Sequence, residues 1–174
     1  MEIVRQETRH VAGLLGGSGD PSPYTARGVF RAIQAATKFR WNTDELSGLT
    51  VAVQGCGHVG YHLVRMLHEA GASQIVTDVN EENLARVVNE FGVITVSPGE
   101  IYGVRADIFS PCALGGVIND RTISELKVQI VAGPANNQLL DEHHGEMLKE
   151  RNITGIDIVT PNNMRLFAQR AFER

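Results

Sequence analysis

The stretch LTVAVQGCGHVG, residues 49–60, decides the fold of this chain of 174 residues. Its first six residues are short, apolar and rich in β-branched side chains, which is typical of a buried parallel strand. Three glycines follow in the spacing Gly-x-Gly-x-x-Gly, at Gly55, Gly57 and Gly60, and apolar residues at helical spacing come next. Residues 55–60, termed the glycine turn, are therefore predicted to join a strand to a helix and to approach a phosphate group.

Each glycine of this turn has a physical role in binding a dinucleotide. Gly55 permits the tight turn, Gly57 lets a pyrophosphate approach the backbone, and Gly60 lets the helix pack against the strand. The helix start offers unpaired N–H groups and a partial positive charge to phosphate. We expect the whole turn to bind the cofactor. The residues between its glycines are Cys56, His58 and Val59.

A carboxylate follows at the position where the cofactor's adenosine ribose is expected. Residues 74–78 are predicted to form the second strand, which ends at Asp78, 18 residues after Gly60. Asp78 would accept hydrogen bonds from ribose hydroxyls and would repel a 2′-phosphate. No Arg or Lys occurs at residues 79–82, so the sequence favours NAD over NADP. The alternative is a glycine turn of the same fold that binds another ligand, or none.

Strands and helices alternate along the rest of the chain. Further strands are predicted at 93–96, 106–109 and 128–132, and helices at 24–39, 59–70, 81–91, 119–126 and 142–151. In the first helix, Ser22 is expected as the N-cap. Short links between alternating elements predict an α/β fold of Rossmann type, doubly wound, with a mainly parallel sheet and helices on both faces. The predicted domains are a polar lead at 1–23, the NAD-binding domain at 24–154 and a divergent tail at 155–174.

The tail ends in a predicted amphipathic helix that begins at about Met164. Its apolar residues include Phe167 and Phe172, and Asn162 or Asn163 would cap it. Such an apolar stripe requires burial, either on this domain or against a second copy of the chain. A homodimer is therefore one expectation.

Composition excludes several other classes of function. The net charge is -4, without a basic cluster, which argues against nucleic acid or an anionic membrane as partner. The sequence lacks a signal peptide and an apolar run of membrane-spanning length, so a cytoplasmic protein is expected. No metal site is expected. The two cysteines, Cys56 and Cys112, are far apart, and the adjacent His143 and His144 are predicted to be a solvated helix start because adjacent residues do not share a helix face.

Several segments, in the same order, resemble the leucine dehydrogenases, which are members of the Glu/Leu/Phe/Val amino-acid dehydrogenase family. The segments are GGSGDPSPYTA (16–26), VAVQGCGHVG (51–60), VTDVN (76–80), IYGVRADIFSPCALGGVIND (101–120) and AGPANNQL (132–139). The resemblance covers residues 3–154. It implies the NAD-binding domain of an enzyme that converts an L-amino acid such as leucine to a 2-oxo acid.

The resemblance also implies roles for individual residues. Asp78, followed by Val79, would bind the adenosine ribose. Cys112 and Ala113 would line the cofactor at the nicotinamide ribose. Asn137 and Thr25 would orient the nicotinamide carboxamide. We expect both cysteines to be small loop residues and not nucleophiles.

The chemistry of this family needs a lysine and a carboxylate from a separate substrate domain, and this chain shows no equivalent. Its three lysines, Lys38, Lys127 and Lys149, all lie outside glycine-rich loops. We therefore expect no catalytic residue here and no turnover by the chain alone. A stand-alone, non-catalytic NAD-binding or regulatory module is the alternative. An unrelated Rossmann enzyme is the third hypothesis. Its Tyr-x-x-x-Lys type has no support in the sequence, because no tyrosine is followed by lysine at that spacing.

Overall fold

The computed structural model describes residues 20–160 and 163–166. In this part of the chain, seven strands form one sheet in the order β3-β2-β1-β4-β5-β6-β7. The first six strands are parallel, and β7 runs antiparallel to β6. The strands are β1 (Thr50–Gln54), β2 (Ser73–Thr77), β3 (Ile94–Thr95), β4 (Ile108–Pro111), β5 (Ile130–Gly133), β6 (Thr154–Thr160) and β7 (Asn163–Leu166). The predicted α/β fold with a mainly parallel sheet is confirmed.

Helices connect the strands, and side chains fix where several of them begin. Asn80 caps one helix by accepting hydrogen bonds from the N–H groups of Glu82 and Asn83, and Asn119 caps another through a capping box with Thr122. The helices of the described residues are α1 (Ser22–Trp41), α2 (His58–Glu69), α3 (Glu81–Phe91), α4 (Asp120–Glu125) and α5 (His143–Glu150), with a 3₁₀ turn at Glu100–Tyr102.

The helices cover both faces of the sheet, and β1 shows the alternation directly. Val51 and Val53 belong to a core shared with α1, α2 and α3. Ala52, between them, belongs to the opposite core, which contains Ile123 of α4 and Leu148 of α5. Because both faces are buried, every residue at the centre of the strand must be apolar, and this explains the continuous apolar run in the sequence.

Several predicted boundaries shift in the structure. α1 begins at Ser22 instead of being capped by it, and Asp20 Oδ1 accepts the Ser22 N–H at 2.9 Å. β4 and β5 begin two residues later than predicted. Pairing explains the shift in β4, since β1 begins at Thr50 and its residue Val51 pairs with Ile108. Ser110 and Pro111, expected in a loop, therefore end β4.

The largest difference lies at the end of the chain. β6 crosses the predicted domain boundary at position 154, and β7 continues the same sheet. The helix predicted from Met164 is wrong for residues 164–166, because these residues are in β7. Only two residues separate β6 from β7, so antiparallel pairing, as in Ile158 with Met164, prevails over a weak helical periodicity. The rest of the predicted helix (167–174) and most of the polar lead (1–19) lie outside the described residues.

Among the described helices, none is both long enough and apolar enough to cross a membrane.

Candidate functional site: the glycine turn and the loops beside it

The carboxyl ends of β1 and β4 form the crevice at which this type of sheet binds ligands. The strand order reverses here, since β1 to β3 extend the sheet in one direction and β4 to β6 in the other. The glycine turn leaves β1, and residues 112–119, termed the β4 loop, leave β4. The Cys112 N–H donates to the Gln54 carbonyl at 2.7 Å, which holds the two segments together.

The three glycines of the turn have three different surroundings. Gly55 has φ +99°, and an added Cβ would lie 2.9 Å from the Cβ of Ala113. An added Cβ at Gly60 would overlap the Gly55 carbonyl, 2.8 Å from its carbon, so α2 packs too close to the strand end for any side chain. At Gly57, an added Cβ would meet no atom of the described residues within 4 Å. Gly57 therefore has open space, through which a ligand can approach the backbone.

Asp78 follows β2 and lies against the glycine turn. Its Oδ2 accepts a hydrogen bond of 2.6 Å from the Cys56 N–H and one of 3.3 Å from Asn83 Nδ2. Its Oδ1 accepts the Asn80 N–H at 2.8 Å. Three donors thus fix the carboxylate at the edge of the crevice, where it can also accept from a ligand hydroxyl. Val79 is 89% exposed, so it lies on the open rim beside the carboxylate.

Both thiols of the site are poor nucleophiles. Burial raises the pKa of the Cys56 thiol to about 12, and the nearby Asp78 carboxylate adds to the rise. Burial also raises the pKa of the Cys112 thiol to about 12. Because the thiolate is the reactive form, neither cysteine is activated at neutral pH. The Cys56 side chain is in the hydrophobic core, so this residue presents only its backbone to the turn.

The start of α2 completes the turn. Gly57 is its N-cap, so the unpaired N–H groups of the first turn, at His58 and Val59, lie at the glycine turn. The His58 side chain is exposed, and its Nδ1 lies 3.7 Å from Asp20 Oδ2. Hydrogen bonds from Ser22 hold the pKa of Asp20 below its usual value, so this carboxylate is charged at neutral pH. The start of α1 therefore lies beside the start of α2.

Thr25 and Asn137 lie in segments next to the glycine turn and the β4 loop. Thr25 lies in the first turn of α1, where its Oγ1 donates to the Pro21 carbonyl at 3.2 Å. Asn137 lies in residues 134–142, termed the β5 loop, with φ +51°. Its carbonyl accepts the Gly116 N–H at 2.7 Å, which ties the β5 loop to the β4 loop. The structure thus brings the glycine turn, Asp78 and the β4 loop into direct contact, with Asn137 and Thr25 attached from neighbouring segments.

The role of Arg86, which contacts the glycine turn from α3, was not predicted from the sequence. Its Nη2 donates to the Cys56 carbonyl at 3.2 Å, and its guanidinium lies 4.0 Å from the centre of the Tyr61 ring. The side chain thereby ties α3 to both the turn and α2. No local signal marks this role, because Arg86 lies 30 residues from Cys56 along the chain.

The prediction for His143 and His144 is wrong in one respect. His143 is largely exposed, but His144 is only 1% exposed, so the pair is not a solvated helix start. The two rings stack with centroids 3.9 Å apart, and both Nε2 atoms lie close to the Asp120 carboxylate. At the first residues of a helix, adjacent side chains can still reach one partner from the same side.

Comparisons with known proteins agree with this geometry. Residues 16–80 match the family model described as Glutamate/Leucine/Phenylalanine/Valine dehydrogenase. Leucine dehydrogenase of Geobacillus stearothermophilus is 54% identical over 156 residues, which cover 88% of this chain and 42% of that protein. L-tryptophan dehydrogenase of Nostoc punctiforme is 48% identical over 154 residues, which cover 88% of this chain and 44% of that protein. The chain thus spans less than half the length of these relatives.

The chain is also similar to solved structures of amino-acid dehydrogenases. The crystal structure of L-tryptophan dehydrogenase from Nostoc punctiforme matches with a TM-score of 0.76 and 46% identity, over 78% of this chain and 41% of that one. A hetero-hexameric glutamate dehydrogenase from Thermus thermophilus matches with a TM-score of 0.66, over 85% of this chain and 38% of that one. Its 21% identity supports a shared fold alone.

Proposed function

We propose that this chain, which belongs to the Glutamate/Leucine/Phenylalanine/Valine dehydrogenase family, supplies the NAD-binding part of an enzyme that oxidatively deaminates an L-amino acid such as leucine. One observation carries the proposal. Open space at Gly57 lies between two crowded glycines, Gly55 and Gly60, beside a fixed carboxylate at Asp78. This combination is what the pyrophosphate and ribose of a dinucleotide require.

The residues present fit the adenosine half of NAD. The backbone at Gly57 and the N–H groups of His58 and Val59 would receive the pyrophosphate, aided by the partial positive charge of the α2 start. Asp78 would accept hydrogen bonds from the ribose hydroxyls. Its negative charge would disfavour the 2′-phosphate of NADP. Arg86 does not reverse this preference, because its guanidinium is engaged by the Cys56 carbonyl and the Tyr61 ring.

The nicotinamide half would lie over the two loops that follow β4 and β5. Cys112 and Ala113 would line the nicotinamide ribose, and Asn137 and Thr25 would orient the carboxamide. The hydrogen bond between Gly116 and Asn137 keeps these loops in one arrangement. When bound, NAD supplies the hydride acceptor for the reaction. The role of this chain is to fix the position of the cofactor and to exclude the phosphorylated alternative.

Catalytic groups for the amino-acid substrate would come from outside this sequence. None of the three lysines lies at the crevice, because two are in the last turns of helices and the third precedes a strand. Lys38 is in the last turn of α1 and Lys149 in the last turn of α5. Lys127 precedes β5, at the amino end of the sheet. A lysine that polarises the substrate would therefore have to be supplied by a substrate domain.

A calorimetric titration of the chain with NADH and then with NADPH tests the proposal, followed by a turnover assay with leucine and NAD on the same sample. We expect saturable NADH binding, weaker NADPH binding and no turnover until a substrate domain is added in trans. A folded sample that binds neither nucleotide would contradict the cofactor role. Turnover by the chain alone would contradict the external origin of the catalytic groups. NADH binding with no turnover after that addition would favour a stand-alone regulatory module.

A further inference from the structure

Three side chains that the dehydrogenase chemistry does not use meet between α4 and α5. Asp120 is the first residue of α4, and His143 and His144 are the first two of α5. Their ligand-type atoms, one from each residue, all lie within 4.8 Å of one another. Asp120 Oδ1 is 3.5 Å from His143 Nε2 and 3.3 Å from His144 Nε2. These three residues are termed the histidine cluster.

Hydrogen bonding sets which nitrogen of His143 is free. Its Nδ1 lies 2.8 Å from Asp141 Oδ1, and an ionised carboxylate can only accept, so Nδ1 carries the proton. In the neutral ring, Nε2 then has a lone pair, and this lone pair lies toward the Asp120 carboxylate. A lone pair and a carboxylate oxygen repel each other unless a proton or a metal cation lies between them. A carboxylate that orients the distal nitrogen of a histidine is also a regular feature of metal-binding histidines.

His144 provides a second, independent observation. Its side chain is only 1% exposed, yet its Nε2 has no hydrogen-bond partner among the described residues. Burying a polar atom without a partner destabilises the folded chain, so such an atom indicates a missing ligand. Its Nδ1 lies 3.1 Å from both the backbone N–H and the carbonyl oxygen of Asp141, and a metal ion on Nε2 would select the tautomer in which Nδ1 donates to that carbonyl.

The spacing of the cluster matches that of metal ligands. With metal–ligand bonds of about 2.0–2.1 Å, the ligand atoms of a tetrahedral ion lie about 3.3–3.4 Å apart. The two distances from Asp120 Oδ1 are 3.3 and 3.5 Å. Ligands of one ion also aim at the ion and not at each other. This explains how His144 Nε2 approaches the carboxylate without forming a hydrogen bond.

We infer that Asp120, His143 and His144 form a binding site for a divalent transition metal ion of the zinc class, with an open fourth position for water. Two imidazoles and one carboxylate are ligands that such ions accept. Asp120 and His143 are both more than half exposed, so an ion can enter from solvent. The nearby carboxylates of Asp141 and Glu142 offset the positive starts of the two helices.

A bound ion would add a link between α4 and α5, whose preceding loops already pair through backbone hydrogen bonds such as that from the Ile118 N–H to the Gln138 carbonyl. α4 follows the β4 loop, and α5 follows the β5 loop. Both loops also line the proposed nicotinamide site. The metal site nevertheless stands on its own atoms and does not depend on the proposed cofactor.

The test is a titration of the tag-free 174-residue chain with Co²⁺ and with Zn²⁺, followed by calorimetry and by the visible spectrum of cobalt. The variants are D120N and H143Q, both at exposed positions where folding should not suffer. The control is H68Q, which removes an exposed histidine on another helix. We expect one ion per chain, and affinity reduced at least about tenfold in D120N and H143Q but unchanged in H68Q. Zinc should raise the melting temperature of the wild type and of H68Q more than that of H143Q.

Two results would overturn the inference. One is wild-type protein that binds neither ion. The other is equal affinity in the wild type, D120N and H143Q, which would place any bound ion elsewhere. If the cobalt spectrum showed a sulfur-to-metal charge-transfer band, the ion would be bound at Cys56 or Cys112, and the inference would again fail.

Discussion

The carboxylate of Asp78 accepts a hydrogen bond of 2.6 Å from the backbone N–H of Cys56. This contact joins the end of β2 to the glycine turn, across 22 residues of sequence. The carboxylate that holds the turn in shape is also the group proposed to accept a hydrogen bond from a ribose hydroxyl, so Asp78 would have two functions. The two functions can be separated by substitution.

Asp78→Ala should lower NADH affinity by about tenfold to a hundredfold and reduce the preference for NADH over NADPH. The expected size follows from the loss of a hydrogen bond to a charged group, about 1.5–3 kcal/mol. Asp78→Asn keeps an oxygen that can accept from Cys56, so it should retain more stability than Asp78→Ala while still losing selectivity. Parallel titrations with both nucleotides check this. Asp44→Asn, at an exposed position, is the matched charge control. An unchanged preference for NADH over NADPH in both Asp78 variants would contradict the proposed ribose-binding role of Asp78.

Gly57→Ala and Gly60→Ala form a matched pair that separates binding from folding. The added methyl at Gly60 meets the Gly55 carbonyl, so we expect a loss of about 1–3 kcal/mol or more in the free energy of unfolding. The added methyl at Gly57 meets no atom within 4 Å in the part of the chain that the structure describes, so stability should hold while NADH affinity falls. Urea denaturation and NADH titration of each variant measure both effects. Full NADH affinity in a stable Gly57→Ala protein would contradict the path assigned to the pyrophosphate.

Cys112→Ala should leave NADH affinity within about threefold of the wild type, because the thiol supplies no charge at neutral pH. In the folded wild type, iodoacetamide should modify Cys112 at least about tenfold more slowly at pH 8 than in urea, since burial raises the pKa of this thiol to about 12. Peptide mass spectrometry over time gives both rates. Rapid modification of the folded protein would indicate an activated thiol and contradict the structure.

His62 predicts a pH dependence of stability. Burial lowers the pKa of this histidine, with Arg65 adding to the effect, and within residues 20–160 and 163–166 its Nδ1 has no hydrogen-bond partner. Between the folded and unfolded pKa values, the unfolded chain binds more protons, so stability should fall as the pH drops below about 6.5. Denaturation at pH 7.5 and pH 5 should show a smaller loss in His62→Gln than in the wild type. The exposed His68→Gln is the control, and identical losses in all three proteins would refute the assignment.

The sequence is sufficient for the parts of the site that are local. Gly55, Gly57 and Gly60 are recognisable because one short segment must turn, open and pack in a fixed order. Asp78 is recognisable because the second strand of such a unit ends at a set distance. Arg86 is not, since it reaches the turn from a helix face that no motif marks.

Local sequence patterns also failed to predict the histidine cluster and the strands at the end of the chain. Asp120 and His143 lie 23 residues apart, and their loops meet because β4 and β5 are parallel neighbours in the sheet. The adjacency of His143 and His144 was a misleading guide, because the helical face rule applies within a helix more than at its first residues. β6 and β7 were missed because pairing with a neighbouring strand, which a local pattern does not contain, decides their state.

Backbone amide chemical shifts of the ¹⁵N-labelled chain, recorded while NADH is added, test the central claim most directly. Binding at the glycine turn should produce the largest changes at residues 55–60 and at Asp78 and Val79, with smaller changes in the β4 loop. The same changes should be reduced in Gly57→Ala. If NADH left these amides unchanged, or shifted only residues on other parts of the surface, the glycine turn would not be a dinucleotide site and the proposed function would be wrong.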